Sequence, residues 1–159
     1  ARVVDRAVRE GHALDLKKLC LKKGEKAWTV VMDLYPINDD GNLFDASSLA
    51  VIAALQDAKF PKLEEDEKIN YKETTNKKLP LKVLPLSFTI VKIGSHFLVD
   101  PTNEEEKFID ARLTIGILED GTLCSLQKGE DTALDAEDIE KMIDIAVKKN
   151  KEVRKVLAK

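Results

Sequence analysis

The sequence predicts an α+β fold made of two β/α modules joined by a charged connection. Three observations carry that reading. Short alternating apolar runs recur from Leu84 to Leu126 at the spacing of antiparallel strands, with Gly94-Ser95 and Asp120-Gly121 as hairpin turns. Two helical stretches, Leu43–Phe60 and about Asp135–Ala158, are long enough to cover a sheet. Between the modules, Lys62–Lys78 is dense in charge and poor in apolar residues. Strands and a helix, a connection, then strands and a helix make α+β.

The chain opens on a helical pattern. Val3, Val4, Ala7 and Val8 form its apolar stripe, and Gly11 is expected to close it. No capping residue precedes it, so the helix is read as starting in mid-stride, with residues upstream in the natural protein. Leu14, Leu16, Leu19 and Leu21 alternate as a strand whose parity changes across Lys17-Lys18, the signature of a β-bulge. Lys23-Gly24 makes a turn. Ala27–Ile37 is apolar on both faces, which predicts a strand covered on both sides, with Trp28 in the core. Leu43–Phe60 is apolar nearly all round, hence a buried helix stopped by Pro61. One short strand is expected in the charged connection. In the second module Leu84, Leu86, Phe88 and Ile90 share one strand face, with Ser87 and Thr89 opposite. His96–Val99, Ala111–Ile117 and Thr122–Leu126 follow as strands. The last helix starts acidic and ends basic, in keeping with its dipole.

Composition narrows the function. The 159 residues are 43% hydrophobic and 35% charged, enough for an ordinary core without disulfide or metal. A net charge of −3 excludes a chain that binds nucleic acid by bulk charge, so any such contact needs a local basic patch. Cys20 and Cys124 are far apart and read as reduced, buried thiols. No apolar run approaches the ~18 residues of a membrane span. A soluble, cytoplasmic protein is expected.

The most informative stretch is Asp39-Asp40-Gly41-Asn42-Leu43-Phe44-Asp45-Ala46. It reads as a tight acidic turn into a helix N-terminus, a geometry whose free N–H groups suit phosphate. A phosphate site also wants a cation or hydroxyl nearby, and the turn offers Leu43, Phe44 and Asp45 instead.

Together, VVDRAVREGHALDLKKLCL (3–21), EKAWTVVMDLYPINDDGNLFDASSLAVIAAL (25–55) and FLVDPTNEEE (97–106) resemble the RNase PH-like superfamily. Within it they are most similar to the non-catalytic RNase PH-type core subunits of the archaeal exosome. The resemblance implies two packed β/α modules of the ribosomal protein S5 domain 2-like kind, the first incomplete. It divides the chain into 1–61, the remainder of the N-terminal module, a charged linker at 62–79, and the C-terminal module at 80–159. Active members of the superfamily read roughly D-G-G-T-R at the turn, which puts Leu43 at the Thr and Phe44 at the phosphate-binding Arg. They also carry D-x-D-x-x-x-D after the second-module hairpin, where this chain keeps Asp100 but has Thr102 and Glu106. A fixed guanidinium gives phosphate its bidentate charge-assisted bonds. The expected chain is therefore inactive in phosphorolysis.

Arg2, Arg6 and Arg9 project from one side of the first helix. Spacing alone favours solvated arginines paired with Asp5 and Glu10. The resemblance instead implies that Arg2 and Arg6 clamp RNA phosphates, with Arg9 a weaker candidate. Asp100, Glu104, Glu105 and Glu106 read as a helix N-terminus or a solvated acidic patch. His12 and His96 lack a second ligand at metal spacing. The basic last helix, with Lys141, Lys148, Lys149, Lys151, Arg154, Lys155 and Lys159, reads as a solvated face by default.

The implied function is a non-catalytic, RNA-binding scaffold of an archaeal exosome ring that degrades RNA from 3′ to 5′. Its partners would be the catalytic RNase PH-like subunit and RNA, with S1- or KH-type cap subunits as further candidates. No metal or cofactor is expected. The alternative is a phosphate-dependent 3′-to-5′ exoribonuclease acting through its own residues.

Overall fold

The structure is a computed structural model and describes residues 2–64 and 68–157. Ala1, Ala158 and Lys159 at the ends of the two expected terminal helices lie outside the described residues, as do residues 65–67 of the charged connection.

Helix α1 (Arg2–Glu10) turns Val4, Ala7 and Val8 inward. Its end differs from expectation, because the left-handed residue is His12, at φ 54°, and not Gly11. The His12 amide donates to Arg9 O at 3.1 Å and the Ala13 amide to Val8 O at 3.0 Å, the paired bonds of a Schellman motif. Gly11 is needed for space: a Cβ there would lie 2.6 Å from Ala7 O and 3.1 Å from Pro85. The His12 side chain is exposed. Replacing His12 with Gly relieves the left-handed strain and is expected to stabilise the fold by about 1 kcal/mol. A urea midpoint that stays put or falls would contradict this.

The predicted strand with a bulge at Lys17-Lys18 is instead a bridge followed by a turn of 3₁₀ helix. Leu14 bridges Leu81, and the Asp15 amide bonds to Pro80 O at 2.8 Å. Leu16–Leu19 then coils, leaving Leu16 exposed and Leu19 buried. The change of parity comes from that coil. Strand β1 (Cys20–Lys22) pairs with β2 (Lys26–Ala27) across the Lys23-Gly24 turn, with Gly24 at φ 81°. Cys20 is exposed and Cys124 half-buried, against the expectation that both are buried; both are free thiols.

The doubly covered strand expected at Ala27–Ile37 is not present. After the Trp28 amide bonds to Leu19 O at 2.8 Å, no described strand runs alongside the chain. Without ladder partners its apolar residues cannot be enclosed, and Val31, Tyr35 and Ile37 are exposed. Trp28 is half-buried, not core, and packs on Phe60 with ring centroids 5.4 Å apart.

Helix α2 (Leu43–Asp57) stops three residues before the expected Phe60. Phe60 precedes Pro61, and a residue before proline is pushed out of the helical region. Both lie on β3 (Lys59–Leu63), which pairs with β4 (Ile69–Lys78) in a two-stranded hairpin where the shorter strand tolerates proline. The charged connection thus holds a ten-residue strand in place of one short one. Nor is α2 buried all round: Ser48, Val51, Ile52 and Leu55 face inward, while Ala46, Ala50, Ala53 and Ala54 are exposed.

The second half follows expectation closely. Strands β5 (Leu86–Ile93), β6 (His96–Val99), β7 (Ala111–Ile117) and β8 (Leu123–Gly129) form one antiparallel sheet in the order β6-β5-β7-β8. The pairs Leu86–Ile117, Phe88–Ile115 and Ile90–Leu113 put large apolar side chains on one face. Helix α4 (Ala136–Leu157) covers that face, and Lys92, in step with Ile90, reaches Asp138 on it. The other face carries the small pairs Ser87–Gly116 and Thr89–Thr114, which let α1 and α2 approach. A Cβ on Gly116 would lie 3.3 Å from Ala7 Cβ. Period-two alternation therefore sorts large residues to one layer and small ones to the other.

Arg154 corrects the reading of α4 as a uniformly solvated basic face. Its guanidinium donates to Leu84 O and Ile117 O, each at 2.8 Å, and to Asn150 Oδ1 at 2.7 Å. It ties the helix to the ends of β5 and β7. Lys141 and Lys149 do face solvent, in ion pairs with Glu137 and Glu152.

Candidate functional site

The two motif turns, 58 to 64 residues apart in sequence, pack against each other. Gly41 at φ 97° and Asn42 at φ 49° bring the chain into α2 through two left-handed residues, conformations that Gly and Asn adopt most readily. Gly41 lies so close to the second turn that a Cβ would fall 2.1 Å from Pro101 O. The Asn42 amide N–H donates to Glu106 Oε1 at 2.8 Å, and Asn103 Nδ2 donates to Asp39 O at 2.9 Å. Asn42 Nδ2 stands between two carboxylates, 3.1 Å from Asp45 Oδ2 and 3.2 Å from Asp100 Oδ1.

The entry to α2 is thus supplied with an anion from within the chain. Glu106 accepts from the backbone where a free N–H could otherwise receive phosphate, and Asp45 adds a carboxylate in the first helical turn. Glu105 and Thr102 form a capping box on the short helix α3 (Asn103–Glu106), and Glu104 pairs with Lys107 at 2.7 Å. The acidic run is accounted for as a capped helix start.

Phe44, at the position where the resemblance expects arginine, is occupied in another way. The Arg112 guanidinium lies 4.6 Å from its ring centroid, in cation–π range, and 3.5 Å from Glu130. Sequence reasoning missed Arg112. Its only signal is that it continues the small-residue face of β7, a place where a long cation must leave the sheet and find an edge.

Burial raises the Asp45 carboxyl above its ordinary value, Asp100 adds to that, and bonds from the Thr89 amide and side chain and from Asn42 oppose it. The Asp45, Asn42 and Asp100 side chains border a cleft of about 520 Å³ between α2 and α4.

The RNA-binding candidates lie elsewhere, on α1. Arg9 sits 3.6 Å from Asp5 and 3.7 Å from Glu10. Arg2 is exposed and Arg6 half-exposed, and among the described residues neither has an acidic partner. The structure brings none of the three to the turn. His12 and His96 are both exposed. No described helix is long and apolar enough to cross a membrane.

The 3′ exoribonuclease family, domain 1, matches residues 1–61, and domain 2 of that family matches residues 84–149. The exosome complex component Rrp42 of Methanopyrus kandleri is 40% identical over 158 residues, which is 99% of this chain and 59% of that protein. A chain of the Archaeoglobus fulgidus exosome with RNA bound to the active site superposes with a TM-score of 0.88 at 39% identity, over 99% of this chain and 59% of that one. A chain of an archaeal exosome core superposes with a TM-score of 0.89 at 38% identity, over 100% and 62%. The chain therefore spans about three-fifths of the relatives it matches.

Proposed function

Because the chain belongs to the 3′ exoribonuclease family, with both of that family's domains represented, we propose that it is a non-catalytic, RNA-binding and scaffolding subunit of an archaeal exosome ring. In this reading it pairs with a catalytic RNase PH-like subunit, three such pairs close a hexamer in the cytoplasm, and S1- or KH-type subunits cap it. The support is its likeness along the whole chain to exosome components. The division into 1–61, a linker at 62–79 and 80–159 belongs to the same proposal. It is supported by the gap between the two family matches, which the β3–β4 hairpin largely fills.

The observation that supports a non-catalytic role is the state of the α2 entry. Phe44 presents no guanidinium, Arg112 is held over its ring, and the Asn42 N–H is occupied by Glu106. Phosphorolysis needs the attacking phosphate to be held by donors and cations, and here a carboxylate stands in that place. RNA would be held instead by Arg2 and Arg6, with Arg9 contributing less because Asp5 and Glu10 already engage it.

The isolated full-length protein is expected to release no nucleoside diphosphate from RNA and phosphate above background. Addition of its catalytic partner should restore release. Robust phosphate-dependent release by the protein alone would establish the alternative, an exoribonuclease acting through its own residues.

A further inference from the structure

Two buried oxygens beside the α2 entry, Asn42 Oδ1 and Asp45 Oδ1, make no hydrogen bond and have essentially no accessible surface. They belong to groups that already share one bond, Asn42 Nδ2 to Asp45 Oδ2 at 3.1 Å. Asn42 Nδ2 also donates to Asp100 Oδ1 at 3.2 Å, so the amide nitrogen is fixed between two acceptors and the amide oxygen is the unmet atom. Neither solvent nor a ligand reaches the two oxygens, so whatever serves them comes from the pair itself.

The bonding at Asp45 is lopsided. Oδ2 accepts twice, from Asn42 Nδ2 and from the Thr89 amide at 2.9 Å, while Oδ1 accepts from nothing. An ionised carboxylate carries charge on both oxygens, and a bare buried one is costly. A carboxylic acid has one purely accepting oxygen and one O–H, which is the division seen here. An acid and a primary amide pair edge to edge through two bonds, N–H to the acid carbonyl and O–H to the amide carbonyl. The first is present, and a proton on Asp45 Oδ1 supplies the second. One proton thereby serves both oxygens. Ser87 Oγ, a third buried atom without a partner, is not served by it.

Asp45 has no ion pair with a described cation. Lys149, on the α4 side of the cleft, is paired with Glu152 at 2.7 Å. Arg112, on β7, lies over Phe44 and 3.5 Å from Glu130. Glu106, on α3, holds the Asn42 amide, and β5 contributes only the uncharged Ser87 and Thr89. Asp100 is the one charged group whose field shifts the Asp45 carboxyl, and it favours the acid, as burial does more strongly. The bonds from Thr89 and Asn42 favour the carboxylate, as does the start of α2.

We propose that Asp45 takes up a proton on Oδ1 and donates it to Asn42 Oδ1, making the α2 entry a pH-sensitive latch that is firmest with Asp45 as the acid and loosens when it ionises. Through Thr89 and Asp100 the same pair ties α2 to β5 and to the turn after β6. The latch depends on neither RNA nor a partner subunit.

Two measurements on the full-length protein test it. In an NMR titration, the Asp45 carboxyl carbon should titrate at higher pH than aspartate in the unfolded chain, and the Asn42 side-chain amide should shift with the same midpoint. Asp100→Asn, which removes the neighbouring charge at an exposed position, should lower that midpoint. The second measurement is urea unfolding across pH. A folded state that keeps its proton to higher pH than the unfolded chain has the full added stability below the unfolded pKa and loses it as pH rises through the folded one. Asp45→Asn puts an amide N–H where the acid has its O–H, so it keeps the paired form at every pH. The variant should match the wild type in acid and have a severalfold larger folding constant above the Asp45 midpoint. A midpoint at or below the unfolded-chain value, or an Asn42 amide that ignores it, would overturn the proposal. So would a folded Asp45→Asn variant that follows the wild-type pH profile or is the weaker of the two above the midpoint. If Asp45→Asn does not fold, the wild-type titration and its displacement by Asp100→Asn decide.

Discussion

Reversing Arg2 and Arg6 together, Arg2→Glu with Arg6→Glu in the assembled full-length ring, is expected to weaken single-stranded RNA binding by roughly 25-fold at 0.1 M salt. The figure follows from counterion release. Each phosphate contact on a single strand contributes about 0.7 to the log–log salt slope, so two contacts contribute about 1.4, or roughly 25-fold between 1 M and 0.1 M salt. The slope should flatten by the same about 1.4. Because neither arginine has an acidic partner among the described residues, little of this effect can come from broken intramolecular pairs. Arg9→Glu serves as the internal comparison. Arg9 is engaged by Asp5 and Glu10, so its reversal should shift the affinity less than that of Arg2 or Arg6. An unchanged dissociation constant and slope in the double variant would remove RNA binding from α1 and leave a scaffold.

Gly41→Ala carries the largest expected cost to stability. The residue sits at φ 97°, and the new Cβ would lie 2.1 Å from Pro101 O and 2.9 Å from Thr102 C, both backbone atoms that cannot swing aside. Backbone strain and the clash together should cost about 3 kcal/mol or more. Gly121→Ala separates the two causes. It has a similar φ of 90° but nothing within 4 Å of the added Cβ, so it should cost only about 1–2 kcal/mol. If denaturant unfolding gives both variants the same loss, the turns at Gly41 and Pro101 do not meet as described.

The contrast between the two halves shows what a sequence can disclose. Leu86 to Ile117 was legible because alternation and turn chemistry agree: Gly94-Ser95 and Asp120-Gly121 lie where the strands must reverse. Ala27–Ile37 misled because apolar residues on both faces specify burial but not the neighbours that provide it. The ten residues of β4 were nearly invisible, since Lys, Glu and Thr paired across a hairpin leave no apolar alternation. His12 in place of Gly11 was missed for a third reason. Local bonds, not residue preference, decide which position goes left-handed there.

At the site, the sequence showed which residues had departed from a phosphate-binding pattern but not what they do instead. The Phe44–Arg112 stack and the Asn42–Glu106 bond join residues 68 and 64 positions apart (112 − 44 and 106 − 42), and no local periodicity reports such a pairing. Thr102 and Glu105 were closer to legible, because a capping box declares itself by its three-residue interval.

The bond from Asn42 to Glu106 also bears on history. On the proposed reading, lost activity could not return by one step. Restoring arginine at Phe44 would bring a second guanidinium beside Arg112, while Glu106 still filled the position meant for phosphate. Removing Glu106 alone would leave a backbone donor unserved and no cation to recruit an anion to it. On that reading the turn acts as a ratchet, in which more than one position must be reversed before phosphate can be held there.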